Sequence, residues 1–172
     1  MADYLQATVR FLHILFGSFW VGVILYQHVV LATFRRMPPP IGGAAMLALG
    51  KRGAPAGLGA GVLTIVLGVW NQYLLWGKLD YQSSTAFVAL GVALACAVAL
   101  VVLGFTVQLP TLRQVEALAP KGPPPPGAPP APNPAMMALQ KRMGIVLMVA
   151  TVLVLTALAM MIVSTLARSG IL

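Results

Sequence analysis

Residues 84–109 read STAFVALGVALACAVALVVLGFTVQL, a run in which no position carries an acid or a base. A helix needs about 20 apolar residues to cross the hydrocarbon core of a bilayer. Three more mainly apolar stretches reach that length, at residues 5–34, 56–76 and 135–167. We therefore predict that residues 1–172 form one all-α domain, an integral membrane four-helix bundle.

The composition supports a membrane protein and excludes several other classes. Charged residues make up 8% of the chain and hydrophobic residues 59%, whereas a typical soluble protein has about 25% charged residues. A soluble enzyme and a DNA-binding domain are therefore excluded. Long unbroken apolar runs also exclude an outer-membrane barrel, whose strands alternate. The single cysteine, Cys96, rules out an intramolecular disulfide and a thiolate metal cluster.

Prolines mark the predicted boundaries of the first three spans. Residues 38–40 are all proline and should end the first helix, and Pro55 should stand just before the second. Residues 37–55 are then a connection, with a short interfacial helical turn around residues 44–49. Pro110 is predicted to end the third span, and residues 111–119 to form a brief amphipathic extension.

The fourth span has clear start and stop signals. Asn133 and Pro134 supply an N-cap and a proline at the first helical position, while Ser169-Gly170 closes the helix. Before it, residues 120–134 contain nine prolines in fifteen positions. This composition predicts a semi-rigid polyproline linker on the cytoplasmic side.

The basic excess predicts the orientation. Cytoplasmic loops are enriched in Lys and Arg, and here eight of the eleven bases lie in the connections after spans one and three or in the first turns of the fourth span. Both termini should therefore lie outside, on the periplasmic or extracellular face of a bacterial inner membrane. The net charge of +8 then reports topology, and no nucleic-acid partner is expected.

Small residues four positions apart predict close helix packing, within one chain or against a second copy. They form four series in the spans: Gly57 and Gly61; Gly91, Ala95 and Ala99; Ala89, Ala93 and Ala97; Ser18 and Gly22.

Few polar side chains fall at membrane depth, where they are expensive and therefore suggest function. No acid or base lies clearly within a span, which argues against carboxylate-driven transport and against hydrolase chemistry. Two histidines remain, His13 and His28, with Gln27, Asn71, Gln72 and Gln108 near span ends. The histidines are fifteen positions apart, which is roughly 22 Å along a helix and about 60° around it. Each could thus serve a site near one membrane surface.

Neutral imidazole is a good ligand for haem iron or copper. Arg10 and Arg35 lie one and two turns from the histidines, where each could pair with a haem propionate, and Trp20 lies between. The alternative reading is that the histidines only tie helices together and that Arg10 extends to the interface.

One haem cannot be held by both histidines at that separation, so a second ligand is needed. We expect either the same histidine of a second subunit or a methionine of the fourth span, which runs antiparallel to the first. Met143 and Met148 should lie near the depth of His28, and Met160 and Met161 near that of His13. Thioether with imidazole suits haem and also copper(I).

Residues 10–22, RFLHILFGSFWVG, resemble the opening helix of a group of small bacterial membrane proteins. The group comprises the copper-resistance D-type domain, the HemJ-type protoporphyrinogen oxidase and the membrane domain of urate hydroxylases, which share Arg/Trp-x-x-His followed by Trp-x-Gly. Leu63 to Gly68 is similar to their Leu-Thr-Gly-Leu pattern. The resemblance implies a helical bundle that holds haem b, or copper, through His13. Several of these families carry a lysine at the start of span three, whereas Lys78 here lies earlier.

The sequence therefore predicts a membrane protein that binds haem b through His13, with a second haem at His28 left open, and that transfers single electrons. It has no soluble domain, so we expect it to be a subunit of a larger redox complex or to pair with a second copy. Two alternatives remain, a copper transporter using His13 and methionines, and a cofactor-free structural subunit.

Overall fold

The computed structural model describes residues 2–36, 39–75, 84–119, 133–169 and 171. The described chain is helical throughout and contains no strand. Its elements are α1 (Ala2–Arg35), α2 (Pro39–Leu75), α3 (Ser84–Leu103), a π-helical turn (Gly104–Gln108), α4 (Leu109–Leu118) and α5 (Pro134–Arg168). Four segments are long and apolar enough to cross a membrane, namely Asp3–Thr33, Leu47–Leu75, Ser84–Leu118 and Pro134–Arg168. The predicted all-α architecture with four candidate spans is confirmed.

The second helix begins much earlier than predicted. It starts at Pro39 and passes through Pro55 without a break, so a non-helical connection was wrongly predicted for residues 39–55; residues 37 and 38 lie outside the described part. Proline is favourable in a first helical turn because its missing N–H would have no partner there. Inside an apolar helix, neighbouring groups can satisfy the carbonyl that a proline frees.

The third helix also passes its predicted stop, and the π-helical turn explains how. The N–H of Leu109 donates to the carbonyl of Gly104, five residues back. Pro110 therefore falls in the first turn of α4, immediately after a change in the hydrogen-bond pattern. Because that first turn needs no N–H from Pro110, the helix continues to Leu118. The predicted extension after Pro110 is present.

The ends of α5 follow their sequence signals. Asn133 Oδ1 accepts hydrogen bonds from the N–H groups of Ala135 and Met136, at 3.0 and 3.4 Å. At the other end, the N–H of Ser169 donates to the carbonyl of Thr165. Gly170 and residues 120–132 of the predicted linker lie outside the described residues.

The four long helices pack as two pairs. α1 lies along α2 and α3 lies along α5, while smaller contacts join α1 to α5 and α2 to α3. The helices thus form a ring whose core is shared by all four. The central cluster consists of Trp20, Ile24, Ala60, Ala97, Leu100, Leu147 and Val154.

The small-residue series divide between packed and exposed faces. Ala89, Ala93 and Ala97 are buried, on the helix that packs along α5. The second series of α3 is exposed, and a Cβ added at Gly91 would meet no atom within 4 Å. Gly22 is likewise open. Only part of the predicted packing pattern is therefore used within one chain.

Candidate cofactor site at His13

Two glycines of α2, Gly61 and Gly68, lie directly against the large side chains of Trp20 and His13 on α1. A Cβ added at Gly61 would lie 2.6 Å from Cε2 of Trp20, and one at Gly68 would lie 2.8 Å from Cε1 of His13. Distances this short leave no room for a methyl group, so both positions require glycine for this packing. These glycines let the two backbones approach closely, as small-residue interfaces do in membranes.

His13 is fixed by a hydrogen bond across this interface. Its Nδ1 atom lies 2.8 Å from the backbone carbonyl oxygen of Thr64 on α2. A carbonyl oxygen only accepts, so Nδ1 carries the proton and donates. In the neutral imidazole, Nε2 then holds the free lone pair. Ligating histidines in metal sites typically have this arrangement, in which a carbonyl or carboxylate orients the ring through its other nitrogen.

Small residues of α1 and α2 lie beside His13. The ring is half-buried over Gly68. On the same helix, a Cβ at Gly17 would lie 3.4 Å from the methyl group of Thr64, which shows how tightly α1 meets α2 beside the ring. The hydroxyl of Thr64 donates to the carbonyl of Ala60 at 2.7 Å and so does not compete for the imidazole.

The other residues predicted around His13 lie in different environments. Arg10 is exposed, one helical turn before His13 on the same side of α1. Trp20 is 7% exposed and packs against Gly61, two turns away in the helix interface. Arg10 is therefore an exposed cation one turn from His13, whereas Trp20 belongs to the core.

His28 is exposed and makes a different contact. Its Nε2 atom lies 2.6 Å from Oγ1 of Thr151 on α5, and that hydroxyl lies 2.9 Å from the carbonyl oxygen of Leu147. The single hydroxyl proton goes to the carbonyl, so the hydroxyl accepts from Nε2–H of His28. This bond ties α1 to α5. Arg35, predicted as its propionate partner, lies at the end of α1, and its side chain is outside the described part.

The bond between His28 and Thr151 places these residues at the same level of the bundle. The levels of the predicted methionine ligands follow by counting along α5 from Thr151. Met143 precedes Thr151 by eight residues, roughly 12 Å along the helix, and lines a cavity. Met148 is three residues from Thr151 and exposed. Fifteen residues beyond Thr151, at about residue 166, α5 reaches the level of His13, so Met160 and Met161 lie roughly 8 Å short of it. Met160 lines a shallow groove beside Ser84 and Thr85.

Within the described ranges, no three His, Cys, Asp or Glu side chains come together as a metal site. Every acidic residue in the described ranges lies outside the apolar segments or at their ends.

A cavity of about 270 Å³ opens in the half of the bundle away from His13. Trp20, Gly104 and Met143 lie on its wall, and two amides, Gln27 and Gln108, contribute to it. The sequence identified both glutamines only as polar residues near span ends. The cavity could not be foreseen because the π-helical turn and α4 form one side of it.

Comparison with known proteins places the chain near one relative of undescribed function. An uncharacterized protein of Aquifex aeolicus (strain VF5) is 32% identical over 75 residues, which cover 43% of this chain and 52% of the relative. The chain thus spans about half the length of that protein. No protein-family model matches the chain, and no solved structure matches it significantly.

Proposed function

We propose that this chain is a b-type haem-binding membrane protein that transfers single electrons, with His13 as the residue that would bind the iron. One observation carries the proposal, the hydrogen bond from Nδ1 of His13 to the carbonyl oxygen of Thr64. It leaves Nε2 as the nitrogen with a lone pair, and it holds the ring in one orientation. Both are requirements for an axial imidazole.

The residues around His13 fit this group. Gly68 leaves space for the ring, and Arg10 is an exposed cation one turn away that would pair with a propionate. Haem, when bound, supplies an iron that cycles between the ferrous and ferric states. The chain's own contribution is to orient the imidazole and to surround it with apolar helix.

A second ligand of the iron is proposed to come from outside this chain. The α5 methionines lie away from the level of His13, and Nε2 of His28 is engaged by Thr151. We assign His28 to helix pairing and do not propose a second haem there. The remaining ligand sources are His13 of a second copy or a residue of another subunit in a membrane redox complex.

The proposed location is a bacterial inner membrane, with both termini on the periplasmic side. The distribution of bases supports this orientation. Lys51 and Glu116 form an ion pair between α2 and α4, at the end of the bundle where most of the positive charges lie.

Difference spectra of purified protein test the proposal, with metal analysis of the same sample. We expect a reduced-minus-oxidised haem spectrum that is lost in His13→Ala and kept in the matched control His28→Ala. Copper without haem would instead favour the transporter. Neither metal, after gentle extraction, would leave the structural subunit and reject the electron-transfer role.

A further inference from the structure

The cavity in the other half of the bundle has the character of a ligand site. Its volume of about 270 Å³ is close to the lower end of known small-molecule pockets. All the long helices and α4 contribute residues to its wall. Leu112 of α4 lies next to Gly50 of α2. The π-helical turn lines it through Gly104 and Gln108, and π-helical turns occur frequently at functional sites.

The cavity is suited to a neutral molecule. Among the described residues that line it, none is an acid, a lysine, an arginine or a histidine. Tyr26 and Leu49 belong to the lining and are also exposed on the outer surface of the bundle. The opening therefore faces the surroundings of the apolar helices, so a lipid-soluble molecule can enter from the side.

Two amides provide the polar contacts. Gln27 on α1 and Gln108 on the π-helical turn both line the cavity and are half-buried. Neither has a hydrogen-bond partner within the part of the chain that the structure describes. Amide groups that face apolar walls are costly when unpaired, so a ligand that accepts their N–H groups would gain affinity here.

We propose that this cavity binds an isoprenoid quinone or a close chemical relative, a neutral ring with carbonyl oxygens on an apolar tail. The carbonyls accept hydrogen bonds from Gln27 and Gln108, and the apolar walls hold the ring and the beginning of the tail. The proposal does not depend on haem at His13, because it rests on other residues.

Fluorescence of Trp20 reports on this site, because its side chain lines the cavity. The other two tryptophans, Trp70 and Trp76, are replaced by Phe, and the protein is reconstituted in lipid nanodiscs. A benzoquinone with a ten-carbon tail is the probe. We expect saturable quenching, whereas quinone that is merely dissolved in the bilayer quenches without saturation.

Three variants test where the probe binds. Gln27→Leu and Gln108→Leu remove the amides while keeping the size, and each should raise Kd about fivefold, the value of one hydrogen bond. Ala150→Phe fills the cavity and should abolish saturation. Gln114→Leu, an exposed amide of α4 outside the cavity lining, is the matched control and should leave Kd unchanged.

Two results would overturn the proposal. The first is quenching that does not saturate or that is unaffected by Ala150→Phe in protein that retains its helical circular-dichroism spectrum. The second is equal competition by a ten-carbon alkylcyclohexane without carbonyls, which would make the cavity an acyl-chain site. Failure of the haem proposal would appear in the spectra of wild-type protein and would not change these titrations.

Discussion

The Nδ1 atom of His13 and the backbone carbonyl oxygen of Thr64 lie 2.8 Å apart across the interface of α1 and α2. The same interface places Gly68 under the imidazole ring. The orientation of the proposed ligand therefore depends on how closely the two helices approach. Changes in the small residues of α2 should therefore affect cofactor binding at Gly68 and helix pairing at Gly61.

Gly68→Ala should weaken haem binding. Its Cβ would lie 2.8 Å from Cε1 and 3.1 Å from Nδ1 of His13, so the ring must shift from the position in which it bonds to Thr64. Loss of an orienting contact typically lowers metal affinity about 10- to 100-fold, and the haem-to-protein ratio of purified protein measures it. Gly59→Ala is the control, because a Cβ there meets no atom within 4 Å. Equal haem content in both variants would contradict the role given to Gly68.

Gly61→Ala should destabilise the bundle because the added methyl group overlaps the indole of Trp20. Overpacking of this kind typically costs about 1–3 kcal/mol. The free energy of unfolding, measured in mixed micelles with increasing denaturing detergent, should fall by that amount. The Gly59→Ala variant should stay within about 0.5 kcal/mol of wild type. A Gly61→Ala protein as stable as that control would show that Trp20 does not pack as described.

Thr151→Val should lower stability slightly without changing haem content. It removes the hydroxyl that bonds to His28, and interhelical hydrogen bonds in membranes average about 0.6 kcal/mol. A double-mutant cycle with His28→Leu should return a coupling energy of that size. Thr156→Val is the matched control, since Thr156 donates to the carbonyl of Val152 on its own helix. Loss of haem in Thr151→Val would instead assign a cofactor role to His28.

Thiol labelling should reveal both termini outside. The connections that carry most of the positive charges should face the cytoplasm, and the termini should therefore lie outside. In a Cys96→Ala background, Ser169→Cys should thus react with a membrane-impermeant reagent in intact cells. Ala117→Cys, on the exposed face of α4, should react only after permeabilisation. The reverse pattern would invert the proposed topology.

Span number and helix type could be predicted from the sequence, because length and apolar character alone determine whether a helix can cross a bilayer. Helix boundaries at proline could not. Pro55 and Pro110 were both expected at breaks, yet both lie inside continuous helical segments. A helix can continue through a proline when the carbonyl that loses its N–H partner finds another one. This depends on tertiary contacts and, at Pro110, on the π-helical turn.

The candidate site was partly visible in the sequence. His13 was identified from its position in an apolar span, but its partner Thr64 is 51 residues away and bonds through a backbone atom, which leaves no side-chain signal. The difference between the two histidines was equally hidden, since it depends on which nitrogen is engaged. Trp20 lies between the two histidines on α1, as expected, and its contact with Gly61 on α2 could not be read from the sequence.

The central claim is that Nε2 of His13 binds haem iron, and pulsed EPR of the ferric protein tests it most directly. The chain has two histidines, so His28→Leu leaves His13 as the only one. Two samples carry ¹⁵N, one at Nε2 and one at Nδ1 of histidine. We predict a strong ¹⁵N hyperfine coupling to iron from the Nε2 label and none of comparable size from Nδ1. Coupling from Nδ1, or haem with no histidine coupling, would contradict the account.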